Sequence, residues 1–165
     1  MQQIDELMIR TTEFFRGDGK RIQHFMKVYA YSALIGRLEG LDEETQNILE
    51  AAAVVHDVGI KPAEEKYGYQ NGKLQEELGP GEAETLLTGA GYCTSRVERV
   101  AYLVGHHHTY SSIDGMDYQI LVEADFLVNL QEEDSSKNAI LTAYEKIFRT
   151  ENGKKLCRDI FGLQA

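Results

Sequence analysis

Few of the acidic residues and histidines fall where a helix would turn them toward a core. Val54-Val55-His56-Asp57-Val58-Gly59 places a His-Asp pair at the end of an apolar, alanine-rich run that begins at Leu49. His24 shares a stripe with Val28, Tyr31 and Ile35 at spacings of four, three and four. His107 and His108 prolong the stripe of Val97, Val100, Ala101 and Val104, and Asp125 is set among Leu121, Ala124 and Val128. Burying a carboxylate costs several kcal/mol unless it is paired or bound to a cation. Imidazole and carboxylate together suit a divalent ion such as Mn, Fe, Co, Ni or Zn, with Mg as the harder alternative. Taken singly, each residue has a plainer reading. A lone histidine on an apolar face is a hydrogen-bonded core residue, Asp125 a surface acid, and three consecutive histidines a solvated helix end favoured by the macrodipole.

The elements that must position these groups read as helices throughout. There are only two prolines, and alternating runs of β-branched residues are scarce. Helices are expected over about 2–16 and 20–38, separated by Gly17-Asp18-Gly19. A third follows the acidic start Asp42-Glu43-Glu44 and ends at His56-Asp57, where Gly59 and Pro62 punctuate the chain. Residues 61–80, polar and tyrosine-bearing, read as a long loop with one short helical turn. Further helices are expected over about 82–90, from a Ser95-x-x-Glu98 capping box toward Val104, and over about 117–131. Ile140, Leu141, Tyr144, Ile147 and Phe148 mark another, and Leu156, Ile160 and Phe161 a last short one. The expectation is an all-α, single-domain helical bundle over 1–165. Its motif core spans about 20–132, and C-terminal helices over about 135–162 pack on it.

Bulk properties narrow the function. A formal net charge of −10 argues against a nucleic-acid duplex or an anionic membrane as partner. It leaves room for an anionic small molecule, because a bound cation reverses the field locally. Cys93 and Cys157 make no metal or disulfide spacing and read as free thiols. With no basic-then-apolar start and no run of about 18 apolar residues, a cytoplasmic location is expected. The tyrosine-rich segments and the terminal helix offer a surface for a homodimer.

His24, His56-Asp57 and Asp125, in that order and on separate helices, resemble the H…HD…D signature of the HD superfamily of metal-dependent phosphohydrolases. The wording from Val55 to Gly59 is similar to the HDIG form. The resemblance covers roughly residues 20–132. It implies a divalent ion bound by His24, His56, Asp57 and Asp125, with substrate phosphate completing the shell and an activated water attacking phosphorus. Asp57 would both bind the ion and orient that water. Subfamilies with a second metal use extra histidines, which His107 and His108 match. The earlier histidine of that set is absent, and Glu76 or Glu77 would have to stand in as an oxygen ligand or else be a solvated acid. Lys61, four residues past Asp57, would neutralise a phosphate oxygen, assisted by Lys20 and Arg21. Tyr67, Tyr69 and Tyr110 would stack on a base. The implied substrate is a small phosphorylated metabolite, a nucleotide foremost. The alternatives are a non-catalytic nucleotide- or partner-binding regulator and a diiron oxygenase of the same superfamily.

Overall fold

A computed structural model of the protein describes residues 1–164, and among these it contains nine α-helices and no β-strand. α1 (Gln3–Phe14) and α2 (Gly19–Leu38) are separated by a turn in which Gly17 takes a left-handed φ of +86°. The Asp18 carboxylate accepts from the Arg21 backbone N–H at 3.2 Å and so caps α2. Asp42 does the same for α3 (Glu43–Val55), accepting from the Thr45 N–H at 2.8 Å. The chain continues through α4 (Ile60–Tyr67), α5 (Gly72–Gly89), α6 (Thr94–Val104), α7 (Met116–Glu132), α8 (Lys137–Lys146) and α9 (Glu151–Phe161).

α3 is the centre of the bundle, in contact with α1, α2, α6 and α7. Its second half, Leu49 and Ala51 through Val55, is wholly buried. Small alanine side chains let several helices close on one axis at short range, which is why an alanine-rich run sits where the packing is densest. Each neighbour adds an apolar stripe: Phe25, Val28 and Ile35 from α2, Val100, Leu103 and Val104 from α6, and Ile120, Leu121, Ala124 and Leu127 from α7. The His-Asp pair follows directly at the end of α3, and so its position is set by the most constrained helix of the fold.

Two expectations are corrected. Residues 61–80 are not a long loop, because most of α4 and the first half of α5 lie there. α4 ends at Gly68, whose φ of +78° is a left-handed C-terminal stop, and α5 begins after Asn71, whose side chain accepts from the Leu74 N–H at 2.9 Å. α5 then runs through Gly79-Pro80-Gly81, ahead of the expected helix start at about 82. Tertiary packing outweighs the local penalty. A Cβ at Gly79 would come within 2.7 Å of Val104 Cγ1, and one at Gly59 would meet Gln75 O at 2.5 Å and Gly79 N at 2.8 Å. Glycine there lets the turn after Asp57 press against α5, and α5 against α6. The second correction concerns α6, which starts at Thr94 with Cys93 in the capping position. Ser95 therefore lies inside the helix, its hydroxyl 3.5 Å from Cys93 Sγ, and forms no capping box.

The C-terminal helices are anchored by a buried carboxylate that the sequence pattern did not single out. Glu123 of α7 is fully buried and accepts from the backbone N–H groups of Arg149 (2.9 Å) and Thr150 (3.0 Å) and from the Thr150 hydroxyl (2.6 Å). The Thr150 hydroxyl in turn accepts from the Gly153 N–H and caps α9. Side-chain volume at Gly153 would collide with Glu123 Oε1.

Two stability outcomes follow from these contacts. Gly59→Ala is expected to destabilise the fold by about 1–3 kcal/mol through overpacking against α5. Gly81→Ala, which meets nothing within 4 Å, is expected to be neutral or to stabilise by up to about 1 kcal/mol. Urea unfolding of the pair decides it, and equal midpoints would show that α4 and α5 do not depend on the close approach. Glu123→Gln turns an amide N–H₂ toward groups that already donate, and should cost about 1–3 kcal/mol. An unchanged midpoint for that variant would mean the α7–α9 junction is held by apolar contacts alone.

Candidate metal centre

Four of the residues singled out in the sequence meet at one point in the core. His24 comes from α2, His56 and Asp57 from the end of α3, and Asp125 from the middle of α7. His24 Nε2 lies 3.2 Å from His56 Nε2, 3.1 Å from Asp57 Oδ2 and 3.2 Å from Asp125 Oδ1. His56 Nε2 stands 3.4 Å from Asp57 Oδ2 and 3.3 Å from Asp125 Oδ1. Both histidines are buried, His56 completely, and Asp125 is 3% exposed.

The outer ring nitrogens decide which of these atoms carry protons. His56 Nδ1 donates to the Ala53 carbonyl at 2.7 Å, and a carbonyl can only accept. His24 Nδ1 donates to Glu132 Oε1 at 2.6 Å, again an acceptor when ionised. In the neutral imidazoles both Nε2 atoms are therefore bare. Two bare nitrogens and two carboxylate oxygens then face one another with no proton among them, and Asp125 Oδ1 has no hydrogen-bond donor. Ligand atoms at about 2.0–2.2 Å from a common ion, at tetrahedral or octahedral angles, stand about 2.8–3.6 Å apart. The five separations given above fall in that range, so the two imidazoles and the carboxylates beside them suit a divalent cation.

The electrostatics make the same demand. Burial works against a charged imidazole at His24, yet Asp125 and Asp57, placed to accept from Nε2 once it is protonated, outweigh it and raise the pKa to about 10. His56 is likewise pushed well above its ordinary value by Asp57 and Asp125 in spite of burial. Burial would raise both carboxyls, but His56 and the neighbouring imidazoles hold Asp57 and Asp125 well below the usual carboxylate range. The pocket requires positive charge, and protons on the imidazoles or a metal ion meet the same requirement.

His107 joins the cluster from the turn after α6. Its Nδ1 donates to the Val104 carbonyl at 2.7 Å, and its bare Nε2 lies 3.4 Å from Asp57 Oδ1 without a hydrogen-bond partner. Asp57 thus shows one oxygen to His24 and His56 and the other to His107. His24, His56 and Asp57 form one group able to hold an ion, and Asp57, His107 and His108 a second. His108 is engaged on its outer side, where Nε2 is 2.8 Å from the buried Gln75 Oε1. The turn itself is pinned by the Tyr118 hydroxyl, which faces the His106 and Thr109 carbonyls, and by Glu76.

Three expectations do not enter the cluster. Glu76 accepts from the His108 N–H at 3.1 Å and the Thr109 hydroxyl at 2.9 Å, and so serves the turn. Glu77 is exposed, because successive residues of a helix point about 100° apart and Glu76 has taken the inward direction. Lys61 points the other way along α4. Its ammonium donates to the Phe14 carbonyl at 2.8 Å and stands 5.0 Å over the Phe14 ring. There it lines a cavity of about 430 Å³ with Phe14, Arg16, Asp18 and Arg21. Arg21 is itself taken up by Glu64, at 2.5 and 3.0 Å. Of the three tyrosines, Tyr110 is 41% exposed with its ring edge-on to Phe126, while Tyr67 and Tyr69 are exposed with ring centroids 6.5 Å apart.

Glu132 and Gln75, which adjoin the cluster, are not among the residues singled out in the sequence. Glu132 lies seven residues after Asp125, two turns along the same face of α7, and that spacing was the available signal. Nothing local distinguishes Gln75, which matters only because α5 packs beside α6.

The HD-domain family profile matches residues 21–146. No curated protein matches the chain at a significant level. Among solved structures, a predicted HD superfamily hydrolase from an uncultured Thermotogales bacterium is similar at 24% identity with a TM-score of 0.66. That similarity covers 96% of this chain and 84% of that one and shows a shared fold. The matched segment holds His24, His56, Asp57 and Asp125 together with the turn of His107 and His108. The chain belongs to the HD-domain family.

Proposed function

We propose that the protein hydrolyses a phosphate ester or anhydride of a small phosphorylated substrate, a nucleotide or related metabolite, at a divalent metal centre held by His24, His56, Asp57 and Asp125. The observation that carries this reading is that the inner nitrogens of His24 and His56, each with its outer nitrogen already donating, lie 3.2 Å apart and 3.1–3.4 Å from carboxylate oxygens of Asp57 and Asp125. When bound, the ion supplies charge stabilisation for phosphoryl oxygens and lowers the pKa of an adjacent water.

The protein's own groups divide the remaining work. Asp57 Oδ2 faces the ligand nitrogens, while Oδ1, on the far side, is left to orient the attacking water and accept its proton. His107 Nε2, bare and 3.4 Å from that oxygen, is a second base beside the same position. Its tautomer is fixed by the Val104 carbonyl, so the lone pair does not depend on solvent for its direction. Apolar walls from α3 and α7 keep bulk water from competing.

Elemental mass spectrometry of protein purified without chelator is expected to find a first-row divalent metal. One ion per chain corresponds to the four-residue centre, and two would add the group around His107 and His108. Reloading should raise the thermal midpoint, since about 100-fold saturation over Kd stabilises by about 2.7 kcal/mol. Asp57→Ala and Asp125→Asn should each lose metal affinity and phosphate release by roughly 100-fold or more, beyond the 10–100-fold typical of outer-shell substitutions. Their helical circular dichroism should be retained. A wild-type protein that binds no metal after reloading, or an Asp57→Ala variant with normal turnover across a nucleotide panel, would sink the reading. Nucleotide binding without cleavage would favour a regulator, and oxygen consumption by iron-loaded protein an oxygenase.

A further inference from the structure

The three histidines of the cluster differ in what holds their outer nitrogens. His56 and His107 each donate Nδ1–H to the carbonyl three residues upstream, both at 2.7 Å. Those acceptors are uncharged backbone groups. His24 instead donates to a carboxylate, Glu132 Oε1, at 2.6 Å, and Glu132 Oε2 accepts from Lys27 Nζ at 2.8 Å. Lys27 is one turn beyond His24 on α2, and Glu132 is two turns beyond Asp125 on α7. The chain His24–Glu132–Lys27 therefore ties together the two helices that bring His24 and Asp125 to the centre. It does so at the rim, where the Glu132 side chain is 21% exposed.

We propose that Glu132 is a positioning residue of the metal centre: it holds His24 in the Nδ1–H tautomer, keeps Nε2 bare and aimed at the ion, and strengthens Nε2 as a donor, with Lys27 orienting the carboxylate. This rests on the reading of His24 as a ligand given above. A hydrogen bond to an ionised acceptor is shorter and stronger than one to a neutral carbonyl, and the 2.6 Å separation accords with that. Carboxylate partners of ligating imidazoles raise ligand basicity and fix ring orientation. The charges also balance. Asp57 and Asp125 are offset by a divalent ion, and the negative charge of Glu132 by Lys27, so the outer carboxylate leaves no surplus near the substrate. His24 is then the ligand whose strength depends on an ionised side chain, whereas His56 and His107 have theirs set by the fold.

The competing role is purely structural, a clasp between α2 and α7, and the two separate by measurement. Metal-free Glu132→Gln and Glu132→Ala are titrated with Mn²⁺, following free ion by electron paramagnetic resonance, and their metal-free thermal midpoints are recorded. Glu132→Ala is expected to weaken Mn²⁺ binding 10–100-fold. Glu132→Gln, which keeps an acceptor but loses the charge, should fall between it and wild type, with metal-free midpoints close to wild type in both. Unchanged Mn²⁺ affinity in the isosteric Glu132→Gln and in Glu132→Ala overturns the proposal. So does a lowered midpoint with affinity intact, which is the clasp. His24→Ala separates the two layers of the argument. If it binds Mn²⁺ normally, the ligand reading itself fails, whereas weak binding by His24→Ala beside normal binding by the Glu132 variants removes only the positioning role.

Discussion

Two buried carboxylates that face proton-free imidazole nitrogens cannot be left alone in a folded core. Asp57 and Asp125 bring two negative charges to a place walled by α3 and α7, and each neutral histidine around them has committed its one proton to an outward acceptor. Such an arrangement is tolerable only with positive charge at its centre, whether protons or a cation. Most other features of the molecule act to keep those groups together and correctly turned. The alanine-rich α3 is thin enough for α2, α6 and α7 to reach the same point, and its end delivers His56 and Asp57 there. On the proposed reading, metal binding would be coupled to folding, because the donor set exists only when four chain segments are assembled.

The rigidity of the set comes from short local links. His56 and His107 repeat one device, a helix-end histidine bonded to the carbonyl three residues before it, and this fixes tautomer and direction with no help from distant residues. The turn after Asp57 is compressed against α5 through Gly59 and Gly79. The turn of His106 to Thr109 is clamped by Tyr118 and Glu76. Each ligand is thus placed by its own segment first and by tertiary packing second, which limits how far a disturbance in one helix can spread to the others.

The parts of this architecture legible in the sequence are those with a period. His24, His56, Asp57 and Asp125 lie on apolar stripes or at the end of one, and a stripe must face the core, so their convergence followed from the assumption of one bundle. Punctuation was less dependable. Gly79-Pro80-Gly81 carries every local mark of a break, yet α5 passes through it because glycine at that point allows contacts with Gly59 and Val104 that repay the lost propensity. Lys61 was placed by its distance from Asp57 along the chain, but the turn between them starts a new helix, and the direction of a side chain on α4 is not fixed by its spacing from α3. Glu77 and Glu76 differ by one residue and therefore by about 100° of helix. Glu132, Glu123 and Gln75 have roles made by packing between helices, and single-helix patterns do not encode these.

An acidic protein that handles an anionic substrate must find positive charge somewhere, and the cations near this site are mostly spoken for. Arg21 forks onto Glu64 and lies 3.2 Å from Asp18. Lys27 is held by Glu132, and Lys61 rests on the Phe14 carbonyl and ring. A formal charge of −10 over the whole chain works against long-range attraction of a phosphate. On the reading proposed above, attraction for the substrate therefore comes chiefly from the ion itself, acting at short range in a pocket of low dielectric where its field is little screened. Recognition and catalysis would then share one charge, and removing the ion would abolish substrate binding together with turnover. A guanidinium clamp would have separated the two, leaving affinity intact in the metal-free protein. The engagement of Arg21 by two carboxylates is the structural reason to expect the former.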